Sequence, residues 1–237
     1  MIKRLKEWIK ENKYCYAMLY YIIYLIIFFT LDFTMKPKYI INCPLDQYIP
    51  FNEYFLIPYS LWFLFFVGVP VVYMFLDKYD FQQLWFTMFT GSIVCFICYI
   101  VVPNGINLRV DVPDRNIFCW MLNHFLWKVD AAVNVCPSLH CSTSVAMALI
   151  TARSEWIRRN IAESKAAGNM KRARNIRVVK WATIIMMILI CVSTMFVKQH
   201  SIVDVLCGSG LSIVLYIIAY HCDWRRLFRN NKLKILL

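Results

Sequence analysis

Two short stretches carry residue types that can move a phosphoryl group: Pro137-Ser138-Leu139-His140, and Ser193 followed by His200 and Asp204. His200 and Asp204 are four apart, so on a helix they share a face. The carboxylate can then hold the imidazole in one tautomer and stabilise its cation. An imidazole held in this way is a nucleophile toward phosphorus, forming a phosphohistidine that a second acceptor discharges. His140 is the matching acid and base, protonating the leaving alkoxide and then deprotonating the incoming water or alcohol. Charge on the phosphoryl oxygens must be met by cations and N–H donors, because positioning and electrostatics carry most of such catalysis. Arg109, Lys198 and the N–H groups after Ser138, a natural helix N-cap, are the candidates. No cofactor is called for. Neither the cysteines nor the histidines show zinc-ligand spacing, and no metal is assigned.

Either stretch alone is a weak signal, since a His and an Asp four apart arise readily by chance. What gives them weight is where the apolar segments place them. Sixty per cent of the 237 residues are hydrophobic and 17% are charged, against roughly 25% charged in a soluble domain. The uncharged runs are 14–31, 54–76, 81–108, 131–152, 181–197 and 205–221. A helix needs roughly 20 residues to cross the hydrocarbon core, and membrane strands are shorter and alternate. The expectation is therefore an all-α, polytopic membrane protein, a bundle of six transmembrane helices.

Orientation follows from lysine and arginine. With both termini cytoplasmic, 20 of the 26 basic residues fall on the inner side and the 14 acidic residues divide equally. The net charge of +12 is thus a topology signal. No nucleic-acid partner is expected, because no binding motif accompanies the charge; the inner segments suit anionic lipid headgroups. Residues 1–13 form an amphipathic segment with Ile2, Leu5, Trp8 and Ile9 on one face. Residues 14–222 are the membrane domain, with helical extensions in the inner loop broken near Gly168, and 223–237 are a basic tail. In this topology Ser138 and His140 open the fourth span, Ser193 closes the fifth, and His200 and Asp204 begin the sixth. Both stretches then emerge at one extracytoplasmic face.

Other chemistry-bearing residues have plainer readings. Cys95 and Cys98 form a C-x-x-C inside a span, where redox partners have no access. One disulfide among Cys43, Cys119 and Cys136 stays open, with no spacing to select a pair. His124 lies in an apolar stretch, 116–128, that reads as an outer interfacial helix, and it is assigned no catalytic part.

The two stretches resemble the motifs of the type 2 phosphatidate phosphatase superfamily, which includes lipid phosphate phosphatases and the sphingolipid head-group synthases. Pro137-Ser138-Leu139-His140 stands where that family has P-S-G-H. Ser193, Thr194, His200 and Asp204 stand where it has S-R-(five)-H-(three)-D. The resemblance implies His200 as nucleophile, Asp204 as its orienter, His140 as acid and base, and Ser138 and Ser193 as phosphate contacts. Two cations of the family pattern are missing. With Arg109 aligned to the first motif, K-(six)-R-P, Val102 takes the place of its Lys and Val110 that of its Pro; Thr194 replaces the third-motif Arg. Arg115, Lys128 and Lys198 are the residues available to restore the charge. A site with fewer cations suits a phosphodiester better than a dianionic phosphomonoester, and Leu139 in place of Gly is similar to the inositol-phosphorylceramide synthases.

The leading expectation is a membrane lipid phosphatase acting on a lipid phosphate or diphosphate through a phosphohistidine. The alternative is head-group phosphotransfer to a lipid alcohol, or phospholipase C-like cleavage. A non-catalytic transporter or scaffold is the third class, and loss of either histidine would favour it; neither is lost.

Overall fold

The computed structural model describes residues 2–221, with side chains for 7–220. The basic tail expected over 223–237, and Ile2 and Leu5 of the amphipathic face, lie outside the described residues and side chains respectively. Helix α1 (Ile2–Glu11) leads through a 3₁₀ stretch (Lys13–Leu19) into α2 (Tyr20–Thr34). Then come α3 (Leu56–Leu76), α4 (Lys78–Val101), a short connecting helix, α7 (Leu139–Arg153), α8 (Glu155–Ala166), α9 (Met170–Phe196) and α10 (Ile202–His221). The connecting helix consists of α5 (Ile117–Met121), a π-helical turn (Leu122–Leu126) and α6 (Trp127–Val129). The fold is all-α, apart from one pair of two-residue parallel strands, β1 (Tyr39–Ile40) and β2 (Asn104–Gly105).

Five helical stretches among the described residues are long and apolar enough to cross a membrane: Lys13–Thr34, Glu53–Leu76, Lys78–Val101, Met170–Phe196 and Ile202–Tyr220. Their outward faces are apolar, with Ile26, Leu64, Val101, Ile188 and Leu206 all exposed. Apolar side chains turned outward suit a lipid solvent, in which every backbone polar group must be satisfied within its own helix.

The uncharged run 131–152 differs from the other five. Its helix starts at Leu139 and has 15 residues, which is about 22 Å and short of the roughly 30 Å hydrocarbon core. Residues 131–137 are irregular because other groups claim their backbone: Asn104 binds 134–136, and Gly105 bridges to Val133. Helix α7 is the core of the bundle instead of part of its wall. It packs against α4, α9 and α10, and ten of its 15 residues are buried. Small residues permit that close approach. A Cβ on Gly91 of α4 would meet the Ser142 hydroxyl at 2.8 Å, and Ser142 and Ser212 hydroxyls pair at 2.9 Å.

One end of the bundle is held by carboxylates acting as helix caps. Asp77 accepts from the amides of Tyr79 and Asp80 at the start of α4. Asp80, fully buried, accepts from the Ser154 hydroxyl at 2.6 Å and from the Glu155 and Trp156 amides of α8. The turn between α8 and α9 uses Gly168 at φ +71°, a left-handed conformation that glycine adopts without penalty. The nine described cysteines are all free. A cap at the opposite end, made of the connecting helix, packs Leu122 and Leu126 on Leu56, Tyr59 and Val197.

Candidate active site

The first stretch is placed by Asn104, nearly completely buried in β2 just beyond α4. Its side-chain oxygen accepts from the amides of Val135 and Cys136 at 2.9 and 2.8 Å, and its amide group donates to the carbonyls of Val102 and Cys136. Thus clamped, the chain turns through Pro137 into α7. There Ser138 is the N-cap, its hydroxyl oxygen accepting from the Cys141 amide at 3.2 Å. His140 follows in the first turn and is buried among Tyr59 and Trp62, with ring centroids 4.7 and 4.1 Å away.

The second stretch is built at the junction of α9 and α10. Helix α9 ends in a tight turn, where the amides of Gln199 and His200 both donate to the Thr194 carbonyl and Lys198 sits at φ +58°. Helix α10 is then capped from a distance. Asp46, in the loop after β1, accepts from the Ile202 amide at 2.9 Å and the Ser201 hydroxyl at 2.7 Å. Asp46 thereby fixes the residues between His200 and Asp204. Asp204 is fully buried, and its Oδ2 accepts from the Ser201 amide at 2.9 Å and faces His200 Nδ1 at 3.3 Å. That contact leaves His200 Nε2 for chemistry.

The halves are joined through the backbone. The Ser138 amide donates to the Asp204 carbonyl at 3.2 Å. Gly208, one turn further along α10, lies against Ser138 so closely that a Cβ there would be 2.4 Å from the Ser138 carbonyl oxygen. The two imidazoles then face each other, centroids 5.6 Å apart, across one pocket. About 20 Å³ of that pocket is open to the centre of a water molecule, room for about one water.

The expected catalytic residues His140, His200 and Asp204 thus come together, with Ser138 beside them. The expected phosphate contacts fare differently. Ser193 is fully buried and donates to the Ile190 carbonyl of its own helix at 2.7 Å. Lys198 is drawn away from the pocket: its ammonium donates to the carbonyls of Ile49 and Asp46 at 2.5 and 3.4 Å. Burial lowers its pKa, opposed by Asp46. Arg109 is engaged on every side. It donates to Gln199 Oε1 at 3.0 and 2.7 Å, to the Trp127 carbonyl at 3.0 Å and to the Asp130 carbonyl at 2.5 Å, with its guanidinium over the Trp127 ring. Arg115 pairs with Glu53 at 2.8 Å, and Lys128 is exposed. No lysine or arginine is among the residues lining the pocket.

The lining instead holds two carboxylates that the motifs did not include, Asp32 and Asp130. Asp130 accepts from the Tyr59 hydroxyl and lies 4.0 Å from His140 Nε2, itself buried without a hydrogen-bond partner among the described residues. Burial pushes the Asp130 carboxyl above the ordinary carboxylate range, with Tyr59, His200 and Arg109 opposing. For His200, burial acts downward, but the hydrogen bond and charge of Asp204 outweigh it and its pKa is raised. The sequence does carry a signal for Asp32, a lone acidic residue closing an apolar run, where an ionisable group is a functional candidate by default. His124, by contrast, pairs with Asp114 at 2.7 Å on the surface.

Fold and site together define a helical membrane protein with a two-histidine, one-aspartate centre at one end of its bundle. Residues 115–228 match the family model described as PAP2 superfamily, whose members are generally phosphatases and phosphotransferases. Neither the curated proteins nor the solved structures yield a match.

Proposed function

We propose that this protein is an integral-membrane lipid phosphatase or phosphotransferase working through a phosphohistidine on His200. The observation that carries the reading is the single pocket in which His200, oriented by Asp204 through Nδ1, faces His140. His200 Nε2 attacks phosphorus and the ester P–O bond breaks, with the leaving alkoxide taking its proton from His140. Water or a lipid alcohol then gives its proton to His140 and attacks the phosphohistidine. The P–N bond breaks and His200 is restored. Amides at the start of α7 are the donors assigned to the phosphoryl oxygens in this reading, supported by the positive end of that helix.

The topology proposed with it has six membrane-inserted helices, α7 as the short central one, both termini cytoplasmic and the pocket extracytoplasmic. Hydrolysis of a lipid phosphate or diphosphate is the first reading. Transfer or cleavage at a phosphodiester is the second, and one observation favours it: no lysine or arginine lines the pocket, whereas a dianionic monoester needs several cations.

The test supplies purified protein in lipid with a phosphatidate and with diacyl phosphodiesters, following phosphate release and new lipid products. Turnover that disappears in His200→Ala is the expected result. Undiminished turnover in that variant refutes the mechanism, and activity with substrate confined to the inner face refutes the orientation.

A further inference from the structure

Asp32 is engaged on one side alone, by the Ala131 backbone N–H. It lies near the C-terminal end of α2 (Tyr20–Thr34), 8% exposed, and its Oδ2 is buried without a hydrogen-bond partner among the described residues. The helix dipole disfavours a carboxylate at that end, and a buried carboxylate lacking a counter-ion is costly. Arg109 acts on Asp32 through its charge, but that one guanidinium faces both Asp32 and Asp130, and its nitrogens are spent on Gln199 and the carbonyls of Trp127 and Asp130. Asp130 Oδ2 is taken by Tyr59. The Asp32 carboxylate nevertheless lines the same pocket as His140 and His200. The surrounding wall is aromatic, with Phe28, Trp62, Phe96 and Tyr99, ring faces of the kind that attract a desolvated cation.

We propose that Asp32 is the counter-ion for an ammonium group on the substrate, which makes the substrate class a lipid phosphodiester with an amino-alcohol head group. The assignment rests on the phosphohistidine reading above and narrows it. A single negative charge on a diester phosphorus demands fewer cations than a monoester, in keeping with a pocket free of lysine and arginine. The cationic head group supplies the charge that the spare carboxylate lacks. His200 then takes the head-group phosphoryl as the bond from phosphorus to the lipid oxygen breaks, and His140 protonates the departing lipid alcohol.

The experiment compares diacyl phosphocholine and phosphoethanolamine with diacyl phosphoglycerol, a monoanionic diester lacking the ammonium, and with phosphatidate. Wild-type protein is expected to favour the ammonium diesters by about tenfold or more in kcat/KM. Asp32→Asn should bring that preference close to one, chiefly through KM. Binding of short-chain phosphocholine and phosphoglycerol detergents to His200→Ala protein, read by tryptophan fluorescence, tests the subsite without turnover. The same preference should appear there and vanish in the His200→Ala, Asp32→Asn double variant. Equal binding of the two detergents, or a preference that survives Asp32→Asn, overturns the assignment. His200-dependent turnover of phosphatidate or phosphoglycerol without ammonium preference overturns it while leaving the phosphohistidine reading in place. Ammonium-selective binding without any His200-dependent turnover upholds the subsite and removes the catalytic reading.

Discussion

Gly208→Ala is the most direct test of how the two motifs are brought together. The added Cβ would stand 2.4 Å from the Ser138 carbonyl oxygen and 3.1 Å from its nitrogen. An ordinary contact needs about 3.5 Å, so α10 and the start of α7 must separate by about 1 Å. Both partners are backbone, and no side-chain rotation relieves the clash. The separation stretches the bond between the Ser138 amide and Asp204 carbonyl from 3.2 Å and carries His140 away from His200. Overpacking of this kind costs about 1–3 kcal/mol of stability, a minor part of a folding free energy of about 5–15 kcal/mol. Displacement of a catalytic group by about 1 Å costs on the order of 100-fold in rate. The variant is therefore expected to fold, lose a few degrees of melting temperature, and turn over lipid about 100-fold more slowly. Gly210, two residues on, has open space where its Cβ would be, and Gly210→Ala should match the wild type in both measurements. Wild-type turnover in Gly208→Ala, or an equal loss in Gly210→Ala, refutes the reasoning.

Three further outcomes are expected. His200 attacks only when neutral, so activity should fall as pH drops through its raised pKa; Asp204→Asn removes the carboxylate that raises it, and the acid limb of the kcat profile should move to lower pH while kcat falls. An acid limb that stays in place or moves upward contradicts the pairing. Asp46→Ala strips the cap from α10 and should cost about 1–2 kcal/mol in thermal or denaturant stability, with kcat reduced more than KM and partial rescue in Asp46→Asn. Asn104→Ala frees the backbone of residues 134–136 and leaves buried amides unsatisfied, a loss of about 1–3 kcal/mol or more that hydrogen exchange should locate at the amides of Val135 and Cys136.

Much of this architecture is legible along the chain. Long uncharged runs dictate helices, because in an apolar solvent only a helix satisfies its own backbone; five of the six runs correspond to long apolar helices. The break near Gly168 and the surface role of His124 were legible too. The run 131–152 was less so: it lacks charge, yet its first seven residues are irregular, held by Asn104 some 30 positions earlier. Pairings such as Asn104 with Val135, or Asp46 with Ile202, leave no periodicity for a sequence pattern to reveal.

The site divides along the same line. A carboxylate four residues after a histidine is a local relation, imposed by helix geometry on any chain that forms the helix. That the two motifs share an end follows from counting apolar runs. Which groups actually fill the space between them is a matter of side-chain direction and competition. Lys198 and Arg109 lie in the right segments, but backbone carbonyls and Gln199 hold them, and the Ser193 hydroxyl turns to its own helix. Asp32 and Asp130, almost 100 positions apart, become the charged walls of the pocket instead. By itself the sequence determined the helices, the paired histidines and the His200–Asp204 relation. The tertiary structure alone decided that the pocket is acidic, because the fate of each charge depends on partners that meet only when the bundle closes.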